Sequence, residues 1–159
     1  MGIIGIFKNV EPCYIINIDE TNFQIKEDEI NKYNNVTGAF AIVNINGKFL
    51  FGYNKWRKQW ELPAGGIENG ESARKAAERE LFEETHQKNS VLVCRGLAKV
   101  KTPSEEIKYQ AINHCFQKKL ATFEKKDNDE MDKIILWDLK QDIGYVDECD
   151  LKILELSIL

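Results

Sequence analysis

The sequence predicts an α/β protein, an α/β/α sandwich with a mixed β-sheet between helices. Three observations lead there. Apolar, β-branched runs and helical stretches follow in the order strands, one helix, strands, one helix. Asn46-Gly47 stands between two of the apolar runs, which is a strong hairpin signal. Ala73–Thr85 has high helix propensity throughout. The chain of 159 residues suits one domain, 1–159, with a sizeable core.

Taken in order, Cys13–Ile18 is a short apolar run read as a strand, and Lys26–Tyr33 is a polar turn of helix or a loop. Val36–Asn46 and Phe49–Tyr53 pair as the hairpin. Asn54–Gln59 is a polar, basic link, Trp60–Leu62 a short extended piece, and Pro63–Gly66 a loop. Gly70-Glu71-Ser72 reads as a helix entrance with Ser72 as N-cap, followed by the helix over Ala73–Thr85. Ser90–Lys101 and Ile107–Lys118 read as two strands joined by a polar loop. Phe123–Glu130 is a charged loop and Ile134–Leu139 a further strand carrying Trp137. In Asp147–Ile158, Leu151, Ile153, Leu154 and Ile158 recur near helical spacing and predict an amphipathic C-terminal helix.

Composition narrows the partners. Apolar content is 43% and charged content 30%, as in soluble globular proteins. The formal net charge is −4 and no basic stripe occurs, so duplex nucleic acid is not expected as a partner. An acidic chain that handles phosphates needs metal ions as the positive component. Cys13, Cys94, Cys115 and Cys149 are dispersed without a CxxC pair, which argues against zinc. The N-terminus lacks a signal-peptide pattern, and Ile6 stands where a myristoylation motif requires Ser or Thr. No apolar run is long enough to span a membrane. The expectation is a cytoplasmic protein with reduced thiols and no membrane association.

The chemistry concentrates on one turn of the central helix. With about 100° per residue, Glu84 lies about 40° to one side of Glu80 and Glu83 about 60° to the other. Three like charges on one face destabilise an isolated helix and call for a cation. A hard divalent metal with oxygen ligands fits. Ala73, Ala76 and Ala77 project on the same side, where small side chains would admit a neighbouring loop.

As a pattern, the stretch reads Gly65, five residues, Glu71, seven residues, Arg79-Glu80-Leu81, one residue, Glu83-Glu84. It resembles the Nudix hydrolase signature, G-x5-E-x7-R-E-U-x-E-E-x-G-U, where U is a bulky aliphatic residue, and the box spans Gly65–Gln87. With six fixed positions each occurring at roughly 6–7%, a chance match in this chain is on the order of one in a hundred thousand. Taken singly, each glutamate is an ordinary solvated helix residue and Arg79 with Glu83 an ordinary i,i+4 pair; the fixed spacing decides otherwise. Two positions depart, His86 for the glycine and Gln87 for the aliphatic. The family's glycine suits a left-handed helix cap. His86 either adopts that conformation at some cost or lets the helix run on towards Asn89.

The resemblance implies a Nudix-like α/β/α sandwich and hydrolysis of a nucleoside diphosphate linked to another group. It implies Mg²⁺ as cofactor, with Mn²⁺ as a substitute. Metal ligands would be the Gly65 carbonyl, Glu80, Glu83 and Glu84, with Glu80 as ligand or general base. Arg79 would orient a glutamate, and Glu71 would pair with Arg79 and hold the loop to the helix. A further acidic ligand from a later loop is assigned to Glu130, with Asp132 or Glu105 and Glu106 as competitors. His114 and His86 are read as packed, surface or helix-end residues, not bases. Trp56, Trp60 and Trp137 are read as core or pocket-wall residues, nucleobase stacking being the alternative. Lys55, Arg57 and Lys58 are read as solvated surface or as steering for an anionic substrate.

The substrate is expected to be a small nucleotide. Pro63-Ala64-Gly65-Gly66 and Pro103 are similar to the ADP-ribose-hydrolysing branch and lean the reading towards ADP-ribose or a nucleotide sugar. The alternatives are a (d)NTP or oxidised nucleotide, or a non-catalytic nucleotide-sensing domain of the same fold. A homodimer is the family-level expectation.

Overall fold

The computed structural model describes residues 3–7, 13–16, 30, 35–88, 90–101, 106–124 and 130–157. In chain order the strands are β1 (Ile3–Phe7), β2 (Cys13–Ile16), β3 (Val36–Ile45), β4 (Lys48–Asn54), β5 (Gln59–Glu61) and β6 (Ala64–Gly66). Helix α1 (Ala73–Thr85) follows, then β7 (Val93–Lys101), β8 (Ile107–Phe116), β9 (Met131–Trp137) and helix α2 (Glu148–Ser157). The strands run β1-β2-β7-β8-β3-β4-β5, with β6 against β3 and β9 against β4. β3 and β8 are parallel, and the other strand pairs are antiparallel. Among the described residues the result is a mixed sheet with α1 on one face and α2 on the other, an α/β/α sandwich.

Strand β3 shows why both faces need covering. Ala39, Ala41, Val43 and Ile45 join Ala73, Ala76, Ala77 and Leu81 of α1 in one core. Phe40 and Ile42 join Phe51, Trp60, Leu62, Ile153 and Leu154 in a second core on the α2 side. A strand buried on both faces reads as a continuous apolar run, as β3 does. The three alanines of α1 therefore pack the helix onto the sheet and leave the carboxylates at the margin of that contact.

The hairpin turn forms as expected. Asn46 and Gly47 both take positive φ, 53° and 82°, the combination a tight primed turn requires. The two strands stay paired only at Asn44–Phe49 and Ile45–Lys48. Beyond that they separate, β3 towards β8 and β6, and β4 towards β5 and β9.

Several boundaries differ from expectation. Pro63–Gly66 is not wholly a loop: Ala64–Gly66 pairs with Gly38–Phe40 of β3. Small residues on both strands allow the approach, since a Cβ on Gly38 would lie 3.1 Å from the Gly65 carbonyl oxygen. β9 begins at Met131 and ends at Trp137, because the Asp138 carboxylate accepts from the backbone N–H of Lys140 (2.8 Å) and Gln141 (2.9 Å) and turns the chain. β1 was not anticipated as a strand. Nearly all of Lys26–Tyr33, together with Glu105 and Pro103, lies outside the described residues. Among the described residues, no helix is long and apolar enough to cross a membrane.

Candidate active site

Helix α1 starts where Ser72 accepts the Lys75 backbone N–H at 3.2 Å and ends at Thr85. His86 caps it in the left-handed conformation, φ 61° and ψ 20°, so the helix does not run on towards Asn89. This fixed frame presents Arg79, Glu80, Glu83 and Glu84 towards the β6 segment.

Arg79 is the hub. Its Nε and Nη2 donate to both Glu71 oxygens at 2.8 and 2.9 Å, a bidentate pair. Nη2 also reaches the Gly66 carbonyl at 2.8 Å, and Nη1 donates to Glu80 at 2.7 Å and Glu83 at 3.4 Å. One guanidinium thus ties the loop before the helix, the β6 backbone and two helix carboxylates together. The Arg79 hydrogen bond, with one from the Glu68 backbone, lowers the Glu71 carboxyl to about 2.

Glu80 lies against Gly65. A Cβ at position 65 would sit 2.7 Å from Glu80 Cγ, with the carboxyl nearer still. Burial holds Glu80 above the ordinary carboxylate value, and Arg79 opposes the shift. Glu84 is pushed up to about 9, first by burial and then by Glu80, Glu130 and Glu61; a hydrogen bond from the Ala64 backbone opposes this. Glu83 stays exposed.

A second group of residues meets this one from β4, β5 and the start of β9. Asn54, fully buried, donates from Nδ2 to Glu61 at 3.0 Å and also to Glu130. Arg57 donates from Nε to Glu61 Oε2 at 2.8 Å and from Nη2 to Glu61 Oε1 at 3.0 Å and Glu130 at 2.7 Å. Burial acts to raise Glu61, but hydrogen bonds from Arg57, Gln59 and Asn54 outweigh it and hold the carboxylate below its ordinary value. Glu130 is also among the charges that raise the Glu84 carboxyl. Of its competitors, Glu106 is exposed.

Sequence reasoning missed Glu61 and Asn54. The available signal was a charged residue in the otherwise apolar Trp60–Pro63 run. Trp60 and Trp137 are buried, as read, but Trp56 is 66% exposed and belongs to neither core. His114 is buried and lowered to about 4, chiefly by burial, so it is neutral and packed.

The donor set is all oxygen: carboxylates at Glu80, Glu83, Glu84 and Glu130, with the Gly65 backbone beside them. Such a set suits a hard divalent cation, and the carboxylates of Glu80, Glu130 and Glu61 add to burial in raising Glu84. Among the described residues, no three acidic, histidine or cysteine side chains yet converge at ligand spacing. Arg79 holds Glu80 and Glu83 in this structure, so carboxylate rotamers would change when an ion binds.

Comparison with known proteins bears on this geometry. The family model for the NUDIX domain matches residues 32–144. The chain belongs to the Nudix family. Among curated relatives, this Nudix chain is 33% identical over 89 residues to an RNA pyrophosphohydrolase of Baumannia cicadellinicola subsp. Homalodisca coagulata, covering 54% of this chain and 56% of that protein. It is equally 33% identical over 89 residues to an RNA pyrophosphohydrolase of Pectobacterium carotovorum subsp. carotovorum, covering 54% and 50%. The Nudix chain therefore spans about half the length of the curated relatives it matches. The crystal structure of the Bacillus subtilis pyrophosphohydrolase BsRppH (E68A mutant) shares the fold at a TM-score of 0.70 and 21% identity, covering 98% of this chain and 94% of that one.

Proposed function

We propose that this Nudix domain is an enzyme that hydrolyses a pyrophosphate bond in a nucleoside diphosphate linked to another group. The observation that carries the reading is the contact of Glu80 with Gly65, next to Glu84, whose carboxyl is raised by burial and then by Glu80, Glu130 and Glu61. The Gly65 carbonyl, Glu80, Glu83, Glu84 and Glu130 would hold Mg²⁺, with Mn²⁺ substituting. The ion would neutralise the anhydride's negative charge and acidify a bound water. Arg79 orients Glu80, and Glu71 anchors Arg79 to the loop. The names of the curated relatives favour an RNA 5′ end as the nucleotide. The Pro63–Gly66 run instead supports ADP-ribose or a nucleotide sugar.

A substrate panel with Mg²⁺ tests the reading: 5′-triphosphorylated oligoribonucleotide, ADP-ribose, nucleotide sugars and (d)NTPs, with product release measured. Turnover of at least one compound is expected. Binding without turnover of any would establish a nucleotide-sensing domain instead. Glu83→Gln and Glu84→Gln are each expected to lower activity by about two orders of magnitude or more in a folded protein. Near-normal activity in both would refute the ligand assignment.

A further inference from the structure

Trp56 is one of four exposed large aromatics that neither core absorbs, with Phe82, Phe116 and Tyr145. It is 66% exposed, whereas the indole N–H groups of Trp60 and Trp137 donate to Ile143 and Gln141 carbonyls at 2.8 and 2.7 Å. Among the described residues the Trp56 indole makes no hydrogen bond and no ring contact. A lone exposed aromatic means little by itself. What distinguishes this one is the rigidity of its support and its place beside the carboxylates.

The support is Asn54. Its side-chain oxygen accepts the backbone N–H of Trp56 and of Arg57, both at 3.0 Å. Its amide nitrogen donates to Glu61 and Glu130. The Lys55 backbone N–H donates to the Glu130 carbonyl at 3.1 Å. The turn at 55–58 is therefore tied through Asn54 to the carboxylates of Glu61 and Glu130. Arg57, next to Trp56, uses Nε and Nη2 on Glu61 and Glu130, while its Nη1 has no partner among the described residues. The turn thus carries an exposed π-surface and, on the next residue, an open guanidinium N–H, on a backbone held at the margin of an anion-processing site. A base stacks on an aromatic face whatever its identity, and a guanidinium N–H suits a phosphate oxygen. A preorganised backbone turn lowers the ordering cost of presenting both.

We propose that the 55–58 turn is the nucleotide-reading element of the site, with Trp56 stacking on the nucleobase and Arg57 Nη1 donating to the phosphate attached to that nucleoside. This assignment rests on the reading of the domain as a nucleotide pyrophosphohydrolase, and it adds that recognition lies in the base and not only in the anhydride. Trp56 acts in binding and takes no part in the chemical step.

The test uses Trp56→Ala and Trp56→Phe in the full chain. Trp56 is exposed and outside both cores, so folding is unaffected by either change, and thermal melting confirms it. With the substrate the panel identifies, Trp56→Ala raises KM about tenfold or more, and by a larger factor than it lowers kcat; Trp56→Phe restores most of the loss. Calorimetric titration with AMP and with ribose 5-phosphate separates base from phosphate. Trp56→Ala weakens AMP binding about tenfold and leaves ribose 5-phosphate unchanged. AMP also quenches wild-type tryptophan fluorescence saturably, and the quench disappears in Trp56→Phe, since Trp60 and Trp137 are buried. Three results would overturn the assignment: equal losses for AMP and ribose 5-phosphate, no loss for either, or no saturable binding of AMP by the wild type. A wild-type protein that turns over no panel compound is a failure of the enzymatic reading, whereas turnover with an indifferent Trp56→Ala is a failure of this one.

Discussion

Gly65 lies so close to Glu80 that a Cβ on position 65 would sit 2.7 Å from Glu80 Cγ. The atoms in the way are the outer part of a flexible side chain, so the fold has room to respond while the carboxylate does not keep its place. Gly65→Ala is therefore expected to melt within a few degrees of wild type and to lose about 100-fold in activity, since ångström-scale misplacement in a catalytic site carries costs of that order. Melting and steady-state rates on the same preparation decide it. Activity near wild type would mean that the position of Glu80 does not matter.

Arg79 grips Glu71 through two parallel hydrogen bonds and also holds Glu80, Glu83 and Gly66. Lysine keeps the charge but cannot reproduce the fork. Arg79→Lys is expected to lower stability by about 1–3 kcal/mol in urea unfolding. The acid side carries a further signature. The folded Glu71 carboxyl is lowered to about 2 from its ordinary 4.5, so its contribution is present above 4.5 and is lost as pH falls through the folded value. The gap between wild type and Arg79→Lys should narrow as pH drops from 5 towards about 2. A gap that stays constant over that window would show that the pair contributes nothing through Glu71.

Glu84 predicts the opposite slope. Its carboxyl is raised from 4.5 to about 9, so between those values the folded protein keeps a proton that the unfolded chain releases. Stability without metal therefore falls as pH rises from about 4.5 to about 9 and levels off above. Glu84→Gln stays neutral throughout and removes that slope. In EDTA, the melting temperature of the wild type should fall between pH 5 and pH 8 by more than that of Glu84→Gln. Equal falls would place the raised carboxyl elsewhere.

Much of this was legible in the chain, and the legible part has a common cause: it is local. Ser72, the alanine-rich helix, Asn46-Gly47 and the Glu80–Glu84 spacing each act within a few residues. What was not legible depends on distant pairing. Ala64–Gly66 carries no β-signal of its own and becomes a strand only because Gly38–Phe40 lies alongside. Glu61 becomes part of the site only when β5 brings it beside Asn54, Arg57 and Glu130. Trp56 has the composition of a core residue, and only the turn fixed by Asn54 exposes it. His86, read as a helix end, takes the left-handed cap conformation, and its ring also packs 5.9 Å from Phe82 and 5.1 Å from Phe123.

The departure at Gln87 has the same long-range origin and yields the last prediction. Gln87 is buried, yet the family pattern has an aliphatic residue there. Its Nε2 donates to the Thr85 and Ala121 carbonyls, both at 3.0 Å, and its Oε1 accepts the Ala121 backbone N–H at 2.8 Å. Beside it, His86 Nδ1 accepts the Glu124 N–H at 3.1 Å. The amide thus stands in for a strand partner and fastens the 120–124 segment to the end of α1. Gln87→Leu keeps the volume and fits the family pattern, but it strands the Ala121 N–H and carbonyl, so it should cost about 1–3 kcal/mol. Loss of the clamp is local, because within α1 the Gln87 side chain bonds the terminal Thr85 carbonyl and nothing in the middle of the helix. Amide exchange at Ala121 and Glu124 should therefore accelerate while amides in the middle of α1 keep their protection. Unchanged protection at Ala121 would show that the segment is held by other contacts and that Gln87 is merely tolerated at an aliphatic position.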